Sequence, residues 1–526
     1  MKTRYAYVVA VALASSLALA GCSDSSTGGS TGGTNYITAN SGEPENPLLP
    51  GLTNEVNGGK VLDLINAGLY YYDAEGKTHE DLAESVTTED GQHYTVKLKA
   101  GKKFSDGTEI KAENFVKAWQ NVVKNSEKQS FFFEDIEGYE AGKEMSGLEV
   151  VDDHTFKVTL SQPEADWPLR LGYSAFAPLP DAFFKDPKAY GEKPLASGPY
   201  KVERWLHNKE ILLVPNASYD GPRKPKNDGI HFKFYAQQDA AYNDLIADNL
   251  DVLDAIPDSA FSSYETDLKG RAINQPAAIF QSFSIDMDEK HFSGEEGQLR
   301  RQAISMAIDR KLVTDNIFKG TRTPAKDFTS PVIAGWKDNL PGAEVTNFNP
   351  EKAKELWAKA DAISKWDGTF KIAYNSDGGH QPWVDAVTNQ VKNNLSIDAA
   401  GDPYPDFKSL RTKVSKHEMD TAYRTGWQAD YPSLYNFLGP IYATGASSND
   451  AQYSNPEFDK LLKTGLSQKT PDEANKYFDE AQTLLFRDLP AIPLWYANVN
   501  GGYSTHVQDV KFGWNSVPLY HEITKK

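Results

Sequence analysis

Short runs of alternating apolar residues and longer amphipathic stretches succeed one another along this chain. Behind the Glu89-Asp90-Gly91 turn, Tyr94, Val96 and Leu98 take every second position, and Phe156, Val158 and Leu160 do the same behind Asp152-Asp153. A two-residue period puts those side chains on one face of a half-buried antiparallel strand. Ile230 to Tyr235 alternates likewise, followed by a helical stretch around Ala240 to Ala247 and a short apolar run, Val252 to Ile256. Strand, helix and strand in that order predict a parallel crossover unit. Helix signals are denser in the second half. Asn349-Pro350 and Asn455-Pro456 each set a capping residue before a proline at the first helical position, and Thr470-Pro471-Asp472-Glu473 has capping-box spacing. From Gln298 to Phe318, Leu299, Ala303, Ala307, Ile308, Leu312 and Ile317 fall mainly on one face of a predicted helix. The pattern shows no short-period repeat and predicts a mixed α/β protein of two lobes with an inserted or appended piece.

The first 34 residues follow another pattern. Lys2 and Arg4 precede a nearly unbroken apolar run from Ala6 to Ala20, as a cleavable export signal requires. That run is too short to span comfortably, since a hydrocarbon core needs roughly 20 residues of helix. Leu19-Ala20-Gly21-Cys22 resembles the lipobox of bacterial lipoproteins, in which the cysteine is acylated and becomes the mature N-terminus. This implies a signal peptide over 1–21, lipidation at Cys22 and a membrane anchor of lipid. Ser23 to Thr34 is a Gly/Ser/Thr coil with a reach on the order of 20 Å. With Cys22 the only cysteine, the folded part has no disulfide and is stabilised by burial alone.

Removing residues 1–21 takes away two cations and no acid, moving the net charge from −18 to −20. Nucleic acid is a poor partner for such a surface. Enzyme signatures are missing as well. His79-Glu80 is not continued to a second histidine, no phosphate loop or dinucleotide fingerprint occurs, and the ten histidines are scattered. Gly28-Gly29-Ser30-Thr31-Gly32 spells G-x-S-x-G, but it lies in the linker without the strand and helix that a nucleophile elbow needs. Asp286 and Asp288 are read as turn carboxylates. No cofactor and no metal is expected.

One segment differs in kind. Arg424 to Leu438 reads RTGWQADYPSLYNFL, with one Arg and one Asp among aromatic and apolar neighbours. Charges in such surroundings are partly desolvated and need opposite partners. Two readings stay open on composition: an internal Arg424–Asp430 pair or solvated loop charges, and a ligand cation received by Asp430.

Gly426-Trp427-Gln428-Ala429-Asp430-Tyr431-Pro432 resembles the Trp-x-Ala-Asp-Tyr segment of the oligopeptide- and dipeptide-binding proteins of ABC importers, the extracellular solute-binding proteins of family 5. Further matches follow in the family's order: Leu64 to Tyr70, Asp73 to Gly76, Leu82 to Ser85, Gly101 to Gly107, Ser197-Gly198-Pro199-Tyr200, Arg300 to Ala303 with Ala307 to Arg310, Asn455 to Phe458, and Leu489 to Pro493. The resemblance implies a periplasmic-binding-protein-like fold of type II: two α/β lobes with an additional subdomain. By analogy the linker is 22–35, the near lobe is 36–72 with 196–285 and 500–526, the additional subdomain 73–195 and the far lobe 286–499.

The resemblance also assigns roles. Asp430 receives the α-ammonium of a peptide by a charge-assisted hydrogen bond. Backbone groups of Gly426, Trp427, Gln428 and Ala429 pair with the peptide main chain, and Leu52, Thr53 and Asn54 supply the other edge. Arg424 matches a position that receives the carboxylate of short ligands in some relatives, and Trp427 either walls a side-chain pocket or packs at the hinge. The implied partners are a peptide, an ABC permease and, through it, an ATPase, with the protein a monomer. Three alternatives share or approach this site: a non-peptide solute such as a nickel chelate, haem or sugar; a peptide-signal sensor; and an anchored hydrolase, against which the missing catalytic motif argues.

Overall fold

The computed structural model describes residues 35–526 apart from Ala165, Asp406 and Ser447. The expectations for the signal segment, Cys22 and the coil lie outside the described residues. No described helix is long and apolar enough to cross a membrane.

An eleven-stranded mixed sheet runs through the protein. At its centre two thirteen-residue strands, Ala272–Ser284 and Ala491–Tyr503, lie antiparallel. On one side follow Ala422–Gln428, Thr369–Asn375 and Asp398–Tyr404; on the other Val252–Leu253, Tyr36–Ser41, Gly229–Phe234, Glu210–Pro215 and Tyr200–Leu206. Arg322–Pro324 pairs alongside Ala491–Tyr503. The register of the central pair slips between Pro276 and Phe280, so that Ala277, Ala278 and Ile279 bulge from the ladder. Such an irregularity bends a strand and frees its backbone groups for other partners. Here Ala278 donates its N–H to the Trp514 carbonyl at 2.8 Å and accepts from the Ala429 N–H at 2.9 Å.

The described residues gather into three large apolar cores, two on this sheet and one under the smaller four-stranded sheet. One gathers residues of 278–496 with Trp514, one residues of 49–190 with Tyr431, and one residues of 37–277 and 499–523. The crossover expected from the pattern is present: Gly229–Phe234 and Val252–Leu253, joined through the helix Gln238–Ile246, both lie parallel to Tyr36–Ser41, which sits between them. The alternating segments also form as expected. His93–Leu98 and Thr155–Thr159 are neighbours in a four-stranded antiparallel sheet that buries Tyr94, Val96, Phe156 and Val158 under the helix Ala112–Lys124. Trp119 of that helix is wholly buried and donates its indole N–H to the Phe176 carbonyl at 3.1 Å.

Asn349, Asn455 and Thr470 cap the helices Pro350–Ile363, Pro456–Leu466 and Pro471–Asp488, each accepting from backbone N–H groups of the first turn. The stretch from Gln298 to Phe318 departs from expectation, because it is not one helix. Gly294–Met306 ends, Ala307 to Asp309 turn, and Arg310–Asn316 begins with the Asp309 carboxylate accepting from the Leu312 N–H at 2.9 Å. The break re-aims the second helix, and Leu312, which a continuous helix would have buried, is about half exposed.

Ser197-Gly198 ties the segment after the first helix into the sheet. Ser197 Oγ accepts from the Ala67 N–H at 2.9 Å, and the Gly198 N–H donates to the Ile65 carbonyl at 2.8 Å. A Cβ on Gly198 would meet the backbone of Asn66 at 2.7–2.8 Å. Backbone cannot swing aside as a side chain can. Gly198→Ala is therefore expected to cost about 1–3 kcal/mol, read as a lowered midpoint in urea denaturation.

Candidate ligand-binding cleft

Segments far apart in sequence converge on one cleft of about 220 Å³. Its walls are Thr53 to Val56 with Gly59, Lys60 and Asp63; Tyr72 with Gly172 to Ser174; Gln428 to Asp430; and Asn515 with Val517. The contributors thus come from all three cores. The helix Val56–Ile65 supplies one wall, and its N-terminus is satisfied by Glu55, whose carboxylate accepts from Asn57 and Gly58, each at 2.7 Å. Lys60 is buried, with Nζ 2.9 Å from Asp254 and 3.0 Å from the Asn40 carbonyl. Those two charges are already engaged.

Asp430 is not charge-paired. It follows the strand Ala422–Gln428, held there by the Ala429 bond to the bulge at Ala278. Its carboxylate accepts from Asn436 Nδ2 at 3.2 Å, and its own N–H donates to Asn436 Oδ1 at 2.9 Å. Among the described residues no Lys, Arg or His forms an ion pair with it. Desolvation, only partly offset by the Asn436 amide, pushes its carboxyl up to about 7 from an ordinary 3.8. Burial chiefly, and then the neighbouring Asp430, raise the Tyr173 phenol as well.

The strand leading to Asp430 has an open edge. Arg424 to Gln428 pair on one side with Ile279 to Phe283, whereas on the other side the parallel neighbour reaches only Ala422 and Tyr423. Among the described residues, Thr425 to Gln428 have no strand partner on that side. Gly426 is exposed on this edge, and the absence of a side chain leaves the backbone reachable.

The residues singled out in the sequence fall into two pockets. Thr53, Asn54, Gln428, Ala429 and Asp430 line the cleft, while Arg424, Gly426 and Trp427 line an adjoining pocket with Phe407, Arg411 and Asp450. Arg424 lies over the Phe407 ring at 5.4 Å, and no Arg424–Asp430 pair forms. The neighbouring Arg411 grips Asp450 with both terminal nitrogens, at 2.6 and 3.2 Å. Trp427 donates its indole N–H to Asn436 Oδ1 at 3.0 Å, so this asparagine fixes the tryptophan and Asp430 together. Gln428 Nε2 reaches the Asn515 carbonyl at 3.0 Å.

Leu52 packs against the core of 49–190, and its N–H and that of Thr53 both donate to the Leu49 carbonyl at 3.1 Å. The Thr53 carbonyl accepts from Gln129 Nε2 at 2.5 Å. A tight turn has consumed the donors that a second pairing edge would offer, which leaves Asn54 at the rim. Sequence reasoning also missed Asn436, Tyr72, Tyr173 and Asn515. Only Asn436 left a trace, as a lone amide among the aromatics after Asp430.

A cleft walled by segments of all three cores, with the Asp430 carboxylate and a strand edge beside it, has the geometry of a binding site. Residues 77–449 match bacterial extracellular solute-binding proteins, family 5 (middle), and the chain belongs to that family. It is 25% identical to the oligopeptide-binding protein OppA of Bacillus subtilis over 94% of each chain. It is 28% identical to the glutathione-binding protein GsiB of Escherichia coli over 81% of this chain and 82% of that one. The murein tripeptide binding protein MppA of Escherichia coli superposes with a TM-score of 0.79 at 22% identity, over 94% of this chain and 99% of its own. The fold is the type II periplasmic-binding-protein fold of the peptide-binding kind.

Proposed function

We propose that this protein captures peptides with a free N-terminus, the α-ammonium on Asp430 and the backbone along Thr425 to Gln428, and delivers them to an ABC permease. The observation that carries this reading is the desolvated, cation-free carboxylate of Asp430 at the end of an open strand edge. Main-chain pairing gives affinity without reading side chains, which suits a carrier of varied peptides. The names of the oligopeptide- and glutathione-binding relatives support a peptide cargo. Near lobe, additional subdomain and far lobe follow the boundaries given by the resemblance, and the bulge at Ala277 to Ile279 is where the lobes bend on closure. Cys22 carries the lipid that holds the receptor outside the cytoplasm, near its permease.

The pH dependence of binding tests this reading. The folded, ligand-free form holds a proton on Asp430 between about pH 4 and 7 that the unfolded chain has released, so this group's contribution to stability erodes as pH rises through that window. An ammonium stabilises the ionised form. Affinity should therefore climb from pH 5 to 7, by up to about tenfold per unit. It should fall again above roughly pH 8, where the peptide α-amine deprotonates. Titration calorimetry with trialanine at pH 5, 6, 7 and 8 reads this directly; an affinity flat across the series contradicts it.

A further inference from the structure

Directly after Asp430 the chain leaves its own core. Ala429 and Leu434 belong to the core of 278–496, but Tyr431, between them, is buried in the core of 49–190. Its ring lies 5.1 Å from the guanidinium of Arg170. Two residues on, Ser433 Oγ donates to Asp166 Oδ2 at 2.8 Å, across 267 positions of sequence. Arg170 is buried and is itself held by carboxylates, at 2.5 Å from Asp135 and 3.0 Å from Glu164, with Asp166 at 3.7 Å. One cation thus faces three carboxylates. Burial holds Glu164 well above the usual carboxylate range, with Asp135 beside it adding to the shift.

We propose that Asp166 and Arg170 are positioning residues for Asp430: by docking Ser433 and Tyr431 they fix the loop that aims the Asp430 carboxylate into the cleft. Assembly of the amine receptor and attachment of this loop to the other core then become one event. The assignment rests on Asp430 as the ammonium receptor. A merely structural contact would alter melting, or the affinity for every ligand alike. A positioning contact alters how strongly the protein prefers a free amine.

The test compares trialanine with N-acetyl-trialanine by calorimetry on the full chain carrying Cys22→Ser, in the parent and in Asp166→Ala, Ser433→Ala, the double variant, Tyr431→Leu and Tyr431→Phe. Each of the first four is expected to reduce the preference for the free amine about tenfold, with the double variant no worse than either single change, as coupled residues behave. Tyr431→Phe keeps the ring over Arg170 and should retain the parent's preference. Thermal melting of each variant identifies any that fail to fold, and Ser433→Ala, which deletes one hydroxyl, keeps the comparison intact. A parent that prefers trialanine, with variants that keep that preference in full, overturns the positioning role alone. Equal binding of the two peptides by the parent, or none, overturns the reading of Asp430 beneath it.

Discussion

Asp430→Asn is expected to act in opposite directions on the empty and the occupied protein. In the empty cleft it removes a carboxylate that desolvation has pushed up to about 7, so at pH 8 the variant should melt at a higher temperature than the parent. Its effect on peptide binding should be the larger one. A charge-assisted hydrogen bond contributes about 1.5–3 kcal/mol, and a buried ammonium left without its counter-charge costs about 3–5 kcal/mol. Affinity for trialanine should therefore fall roughly a hundredfold or more. The amide can still hydrogen-bond Asn436, which keeps the local fold and isolates the loss of charge. Calorimetry beside thermal melting gives both signs in one preparation. A variant that both melts lower and binds unchanged would show that Asp430 is structural.

Arg310→Met should be the most damaging single change away from the cleft. Arg310 is buried, and its guanidinium donates to four backbone carbonyls: Pro493 at 2.7 Å, Thr346 at 2.6 Å, Ser305 at 3.0 Å and Ile308 at 3.3 Å. It also reaches Ser305 Oγ at 2.8 Å. These acceptors belong to the end of the helix Gly294–Met306 and the turn after it, to the segment before the helix Pro350–Ile363 and to the central strand Ala491–Tyr503. One side chain joins three elements. Methionine fills much of the volume but supplies no donor, and each orphaned buried carbonyl costs about 1–3 kcal/mol. With some water entering, a net loss of roughly 3–5 kcal/mol is expected, seen as a lower urea midpoint. Lysine should not rescue it, because a single ammonium cannot span acceptors arranged around a planar fork.

Arg310 also shows what kind of information the sequence held. Ala307 to Arg310 and Leu489 to Pro493 are motifs that the resemblance picks out, and the structure brings them together through the Arg310–Pro493 bond, outside the lining of the cleft. Local signals were legible. Alternation gave His93–Leu98 and Thr155–Thr159, and capping residues gave three helix starts, because each depends on neighbours a few positions away. The break at Ala307 to Asp309 was not legible: the apolar spacing continues through it, and one contact made there comes from far along the chain, Gln390 Oε1 accepting from the Asp309 N–H at 2.6 Å. The central antiparallel pairing of Ala272–Ser284 with Ala491–Tyr503 spans more than two hundred positions and leaves no periodic trace.

The cleft divides in the same way. Asp430 stood out because one acid among aromatics is locally anomalous. Tyr72, Tyr173 and Asn515 are ordinary in their own surroundings and become walls only through tertiary packing. Leu52 and Thr53 were placed by distance along the chain, and a turn closing on the Leu49 carbonyl spends their donors. The edge from Thr425 to Gln428 could not be seen either, since it depends on a parallel neighbour whose pairing runs through Ala422 and Tyr423.

The central claim is that a carboxylate in the cleft selects a free peptide amine. Its most direct test is calorimetric titration of residues 35–526, which form one compact unit, with trialanine and with N-acetyl-trialanine at pH 7. Acetylation removes the cation and leaves the backbone and side chains in place. Binding of the free peptide at least a hundredfold tighter is the predicted result; equal affinity for the two would contradict the account.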